Sequence, residues 1–242
     1  MRRFFAVASI AAATLLATES AAGPPPGRDG AFNFRFGAFF PAADSDFWTA
    51  NEAAFTLDDS DFIGPIGGFG YNGAITNYFE FDANADFYTS LVRSADSFYT
   101  DLDGFPIYHD SRLVTFPLSV GFRVLPAGRF ARRGPEGTHY VRRPVPYIGA
   151  GAGMTYWQYE EEGDFVASDL SIIYARFVES GLAFQWYAML GIEFPVSPQW
   201  NITFEVRETW AEATPGGDFT FVNPGTLDLG GTSVFLGGSL RF

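Results

Sequence analysis

The feature of this sequence that most constrains its fold is a period of two that returns eight times along the chain. In the first run Phe32, Phe34, Phe36, Ala38 and Phe40 share one parity, and Asn33, Arg35 and Gly37 fall between them. In the third, Phe79, Phe81, Ala83, Ala85 and Phe87 alternate with Glu80, Asp82, Asn84, Asp86 and Tyr88. Successive side chains of a β-strand point to opposite faces, so each run predicts a strand with one apolar and one polar side. The other runs cover residues 69–75, 114–124, 148–156, 182–194, 200–206 and 232–242. Their even number fits a closed antiparallel barrel, and a strand crosses a bilayer at a tilt in about 9 to 11 residues. The expected fold class is all-β, an eight-stranded antiparallel up-and-down β-barrel.

Composition removes several competing classes. The 242 residues are 47% hydrophobic and 18% aromatic, which is too apolar for disorder. No cysteine is present, so neither a disulfide framework nor a Cys-ligated metal site is available. The formal charge of −13 opposes nucleic-acid binding, which needs a basic surface. Past the N-terminus no apolar stretch is long enough for a transmembrane helix. The N-terminus itself has Arg2 and Arg3, an apolar run over residues 4–17, and small Ser20, Ala21 and Ala22. That is the pattern of a secretory signal peptide, so residues 1–22 are expected to be an export signal, 23–30 a flexible lead-in rich in proline, and 31–242 the barrel.

Alternation alone does not say which face looks inward, because a soluble barrel or sandwich has the same period with the sides reversed. Three features turn the apolar face outward into lipid. The polar parity carries Arg35, Glu80, Asp82, Asp86, Arg123, Glu193, Glu205, Arg207 and Arg241, which a narrow lumen would bring together as a paired network. Links after the first, third, fifth and seventh runs are long and acidic while those near Thr76 and after Pro195 are short, the asymmetry of outer-membrane barrels. Finally, Trp200 and Trp210 share the apolar parity ten residues apart, about 25 Å along the membrane normal for a tilted strand, which suits two aromatic girdles. Glu208 also lies on this parity, and its place beside Trp210 puts it at an interface.

The chain's end, Gly237-Gly238-Ser239-Leu240-Arg241-Phe242, resembles the terminal assembly signal of bacterial outer-membrane proteins, with a final Phe242, apolar Leu240 two before it and Gly237 five before it. The run Pro146-Tyr147-Ile148-Gly149-Ala150-Gly151-Ala152-Gly153 and the segment over residues 197–207 are similar to segments of the small outer-membrane β-barrel family that includes OmpA-, OmpX- and OmpW-like domains. The resemblance spans residues 31–242 and implies a monomeric, cofactor-free protein of the Gram-negative outer membrane, inserted by the barrel-assembly machinery.

Charge separates by side. Residues 41–62, 91–111, 159–181 and 212–228, read as outer loops, hold 19 acids against only Arg93 and Arg176. The inner link over residues 126–144 holds Arg129, Arg132, Arg133, Arg142 and Arg143 against Glu136. The loop acids suit either simple solvation or bridging to lipopolysaccharide through divalent cations, and the arginines suit phospholipid headgroups. Residues 169–180 fit a short helix or an extracellular strand extension equally well. No metal site is expected, since Glu160-Glu161-Glu162 and Asp101-Leu102-Asp103-Gly104 lack the spacing of a calcium loop. His109 and Ser111 could share a strand face, a minor argument for a lipid-modifying enzyme, and no catalytic residue is assigned. The leading expectation is a structural or surface-interaction role through the long acidic loops. The alternative implied by the OmpW-like resemblance is a narrow conduit for small apolar molecules with Phe39, Tyr88 and Tyr187 in its lumen.

Overall fold

The structure is a computed structural model that describes residues 30–132, 138–140, 143–217, 219 and 225–242. The expected signal peptide, the lead-in up to residue 29, and Arg133, Glu136 and Arg142 of the inner link lie outside the described residues. In chain order the elements are β1 (Gly30–Pro41), α1 (Asp46–Ala54), β2 (Gly64–Ala74), β3 (Phe79–Thr100), β4 (Pro106–Val124), β5 (Phe130–Arg132), β6 (Thr138–Tyr140), β7 (Val145–Val166), β8 (Ile172–Pro195), β9 (Trp200–Ala213), β10 (Leu227–Asp228) and β11 (Gly231–Arg241).

Eight of these, β1, β2, β3, β4, β7, β8, β9 and β11, form one antiparallel ring. The ring is closed by β11 returning to β1, in register from Ala31 opposite Arg241 to Pro41 opposite Gly231. Strands in hydrocarbon have no water to satisfy their N–H and C=O groups, so only closure leaves the barrel wall without an edge. At the seam Phe242 exchanges backbone hydrogen bonds with Gly30 and packs its ring 5.4 Å from that of Phe32. Two minor pairings complete the fold: β5 with β6 in the inner link, and β10 against the outer end of β9.

The apolar parity faces outward. Phe36, Phe69 and Leu182 are 63%, 74% and 69% exposed, and they belong to a continuous belt of large apolar side chains on all eight strands. A soluble protein rarely exposes apolar patches of more than a few hundred Å², so the belt is the lipid-facing wall of a transmembrane barrel. Trp200 and Trp210 both lie on this outer face, and Trp210 stacks on its cross-strand partner Trp186 with ring centroids 3.9 Å apart. Glu208, two residues from Trp210, accepts the Thr232 hydroxyl at 2.5 Å.

Glycine on the inward parity has a specific cause. Gly121 and Gly151 are cross-strand partners, and the Tyr187 hydroxyl comes close to both. A Cβ on either would come within 2.5 or 2.6 Å of the Tyr187 hydroxyl, so the glycines clear the floor on which a lumen aromatic rests. Gly149 in the same run clears Met189 likewise, whereas a Cβ on Gly153 would meet the backbone of Leu118.

Two of the expected outer loops are corrected. Residues 91–111 and 159–181 are mostly strand, because β3 and β4 pair on to Thr100 and Pro106, and β7 and β8 pair on to Val166 and Ile172. Residues 169–180 thus take the extended alternative. Each hairpin continues beyond the belt because its polar residues, no longer in lipid, still complete a cross-strand ladder. Barrel closure at the seam makes a direct expectation: the unaltered protein runs faster unheated than boiled in detergent gels, and Phe242→Asp lowers the fast-running fraction far more than Phe98→Asp at an exposed hairpin tip. Equal fractions for the two variants count against a role for Phe242 in closure.

Candidate functional site

The lumen is filled from the inner end outward by charge, then by aromatic rings. Strand alternation puts Glu80, Asp82, Asn84 and Asp86 in a ladder on the inward face of β3. Facing it are Arg35 from β1, Arg123 from β4, Glu193 from β8, Glu205 and Arg207 from β9, and Arg241 from β11. To these the structure adds Arg129, which the sequence reading placed among phospholipid headgroups. That expectation is corrected: the chain turns after β4 so that Arg129 reaches up into the barrel and is 1% exposed. A backbone anchor holds it there, with the Arg129 N–H donating to Asn77.

Arg129 forms the inner tier. Its Nε and Nη2 donate to the two oxygens of Glu80 at 2.5 and 2.8 Å, and Nη1 and Nη2 donate to Glu193 at 2.6 and 3.1 Å. Arg241 lies 3.5 Å from Glu80 and 3.6 Å from Glu193. In the middle tier Arg123 reaches Asp82 at 2.9 Å and Glu205 at 3.4 Å, and its guanidinium sits 4.5 Å over the Tyr147 ring. The Tyr147 hydroxyl donates to Glu205 at 2.8 Å and that of Tyr187 to Asp82 at 3.0 Å. Above these, Arg35 grips Asp86 through Nε and Nη2 at 2.8 and 2.7 Å. Arg207 bridges Glu205 and Asp86 at 2.8 and 3.2 Å. Asn33, Asn72 and Asn84 carry the amide hydrogen bonds that link this network to the wall.

Five guanidiniums thus meet five carboxylates, none more than 7% exposed. The pairs run through shared partners into one network, with closest distances between 2.5 and 3.8 Å. Formal neutrality follows from desolvation, because an unpaired charge in so dry a space is far costlier than a paired one. The nine residues of the sequence set include only four arginines, so the missing cation was signalled by the imbalance itself. Above the network a cavity of about 30 Å³, room for about one water, separates Arg207 and Asp86 from Phe39 and Phe235. Phe235, an apolar residue on the otherwise polar parity of the last strand, points inward, with the Arg35 guanidinium 4.9 Å from its ring centroid.

The outer mouth is closed by an apolar cap. Helix α1, begun at Ser45, drops Phe47 and Trp48 into the opening. Phe47 packs edge-on to Tyr159 with centroids 5.0 Å apart, and Phe219 from the last loop lies 5.6 Å from the same ring. Trp48 donates its indole N–H to the Asp228 carbonyl at 2.9 Å, tying the first loop to the last. Phe39, Phe62, Tyr88 and Leu113 fill the cap from below. No sequence period marks α1, since its two aromatic residues are adjacent and the only apolar residues a turn away are alanines.

Two buried titratable groups flank this cap on the hairpin side, farther out along β4 and β7 than Leu113 and Tyr159. His109 accepts or donates to the Ser94 hydroxyl through Nε2 at 2.9 Å and packs 4.0 Å from the Phe55 ring, and burial lowers its pKa against the pull of Asp96 and Asp110. Ser111 faces inward beside it, but the histidine's bond is to Ser94, and both serines are sealed from bulk solvent. Glu161, accepting the Tyr159 hydroxyl at 2.9 Å, is pushed up to about 7 by burial from an ordinary value near 4.5, with the tyrosine pulling the other way. Among the described residues no three His, Asp or Glu side chains converge on a metal position.

Two expectations follow. Arg129→Ala strands Glu80 and Glu193 and should lower the urea unfolding free energy of the refolded barrel by about 3 to 5 kcal/mol. Arg143→Ala, removing an exposed donor to the Ala127 carbonyl, should change it by less than about 1 kcal/mol. For Glu161 the folded state favours the protonated form, so its contribution is complete below about pH 4.5 and is lost as pH rises through about 7. Chymotryptic cleavage within residues 47–57 should therefore be slower at pH 5 than at pH 8. Glu161→Gln should remove most of that difference, and an unchanged pH profile in the variant would refute the assignment.

No protein-family model and no curated protein sequence matches this chain. Solved structures do. Neisserial surface protein A is 11% identical over 93% of this chain and 100% of its own, with a TM-score of 0.45. The outer membrane protein OprG from Pseudomonas aeruginosa is 13% identical over 89% and 97%, with a TM-score of 0.48. Ail, the attachment invasion locus protein of Yersinia pestis, solved with the heparin analogue sucrose octasulfate, is 10% identical over 88% and 99%, with a TM-score of 0.41. With eight antiparallel strands closed by its first and last strands, a charged lumen inside and an apolar belt facing lipid, this chain has the architecture of the small bacterial outer-membrane β-barrels.

Proposed function

We propose that the protein acts through its extracellular part, as a structural or surface-interaction barrel, and not by passing solutes along its axis. The observation that supports this most directly is the double seal, a neutral ion-pair network below and an aromatic cap above. An eight-stranded barrel has an interior just wide enough for side chains to fill, and here they fill it. A conduit for apolar molecules would have to displace Tyr187 from Asp82 and Phe47 from Tyr159, which are bonded or packed. A hydrolase built on His109 would need substrate to reach a ring packed beneath Phe55.

In this reading the acidic extracellular residues meet lipopolysaccharide phosphates through divalent cations, the terminal strand with Gly237, Leu240 and Phe242 is what the assembly machinery reads, and the barrel is monomeric. The experiment is planar-bilayer recording of the refolded full chain. The expected record has no steady conductance above that of the lipid. Sustained ohmic steps from the unaltered protein would overturn the sealed-lumen reading.

A further inference from the structure

Beyond the outer girdle the β3–β4 and β7–β8 hairpins rise side by side, because β4 and β7 remain paired as far as His109 and Gly163. Their tips are apolar where water would favour polar residues. Leu102 is fully exposed and Leu170 is 68% exposed, each at the crown of its hairpin. Between the tips runs a groove of about 380 Å³, walled by Tyr99, Leu102 and Ile107 on one side and Val166, Leu170 and Ile172 on the other. That volume lies within the usual range for a binding cleft, about 300 to 1,000 Å³.

Charge decides what could cover it. Residues 96–108 and 164–174 carry Asp96, Asp101, Asp103, Asp164 and Asp169 and no Arg or Lys. Asp103, Asp164 and Asp169 stand exposed around the crown. A second copy of this chain would bring the same five acids to the contact, and an anionic membrane surface without bridging divalent cations would be repelled likewise. An apolar groove rimmed by one sign of charge fits a ligand with an apolar stripe and the opposite sign. We propose that this crown is a docking site for a cationic amphipathic peptide segment, whose apolar residues enter the groove while its Lys or Arg side chains meet the rim carboxylates. The proposal rests on the surface-interaction reading and gives that reading a partner of defined chemistry.

The test uses the full chain in phosphatidylcholine nanodiscs and a fluorescent amphipathic Leu–Lys peptide of about 14 residues, a common helix length. Anisotropy is read against empty nanodiscs. Saturable binding is expected, falling about tenfold or more for the Leu102→Ser, Leu170→Ser double variant. For Asp103→Asn with Asp164→Asn, binding should weaken and lose part of its salt dependence. A Leu–Glu peptide of the same length should not bind. Equal binding to empty discs, to the double serine variant or by the Leu–Glu peptide overturns the proposal, as does pairing of discs with one another or with anionic vesicles through the crown. Because the chain has no cysteine, Ser171→Cys supplies a single thiol for an impermeant maleimide on intact cells. Labelling without peptide binding defeats the docking site alone, whereas failure to label defeats the surface reading beneath it.

Discussion

Everything in this barrel depends on how charge is kept out of water. Ten ionised side chains occupy a space in which none is more than 7% exposed, and the only arrangement that tolerates them is one in which each guanidinium is shared between carboxylates. Glu193 answers Arg123, Arg129 and Arg241, and Glu205 answers Arg35, Arg123 and Arg207. Because the partners come from β1, β3, β4, β8, β9, β11 and the inner link, the network ties together walls that are far apart in sequence. The strands supply the backbone hydrogen bonds, but the lumen charges determine which strand must stand opposite which.

Aromatic rings make the same network compatible with a small diameter. Tyr147 and Tyr187 each place a hydroxyl on a carboxylate and a ring face under a guanidinium, so a single side chain satisfies an anion and packs a cation. Room for Tyr187 comes from the bare backbone of Gly121 and Gly151. Toward the outside the chemistry changes from ionic to apolar within the length of Phe39, Tyr88 and Phe235, and the cap above them is held by ring packing and by hydrogen bonds that join Trp48, Ser45 and Asp44 to Asp228.

Much of this was legible from the chain alone, for reasons that differ by residue. The parity of Phe79 against Glu80, repeated on eight strands, marks both the walls and the inward set, because a strand's side-chain period is invariant. Arg129 was not legible in that way. It lies in a connection, where no period assigns a side, and its Arg-rich surroundings suggested headgroups. Only the count of charges, four arginines against five acids on the polar parity, held a trace of it. The helix α1 escaped because a segment of nine residues with Phe47 and Trp48 adjacent shows no stripe, and its docking depends on Tyr159 from a strand a hundred residues away. The hairpin extensions past Leu91 and Tyr159 escaped because their alternation is no longer one of apolar against polar once lipid is left behind.

The indole bond between Trp48 and the carbonyl of Asp228 has a temporal meaning as well as a spatial one. It joins the loop that follows the first strand to the loop that precedes the last, and those two strands are the ones that meet only when the ring shuts. Until then the loop that carries Trp48 and the loop that carries Asp228 are not held side by side, and the mouth of an unfinished barrel is uncovered. The lid is therefore the last thing such a chain can complete, and its presence certifies that the circle has already been drawn.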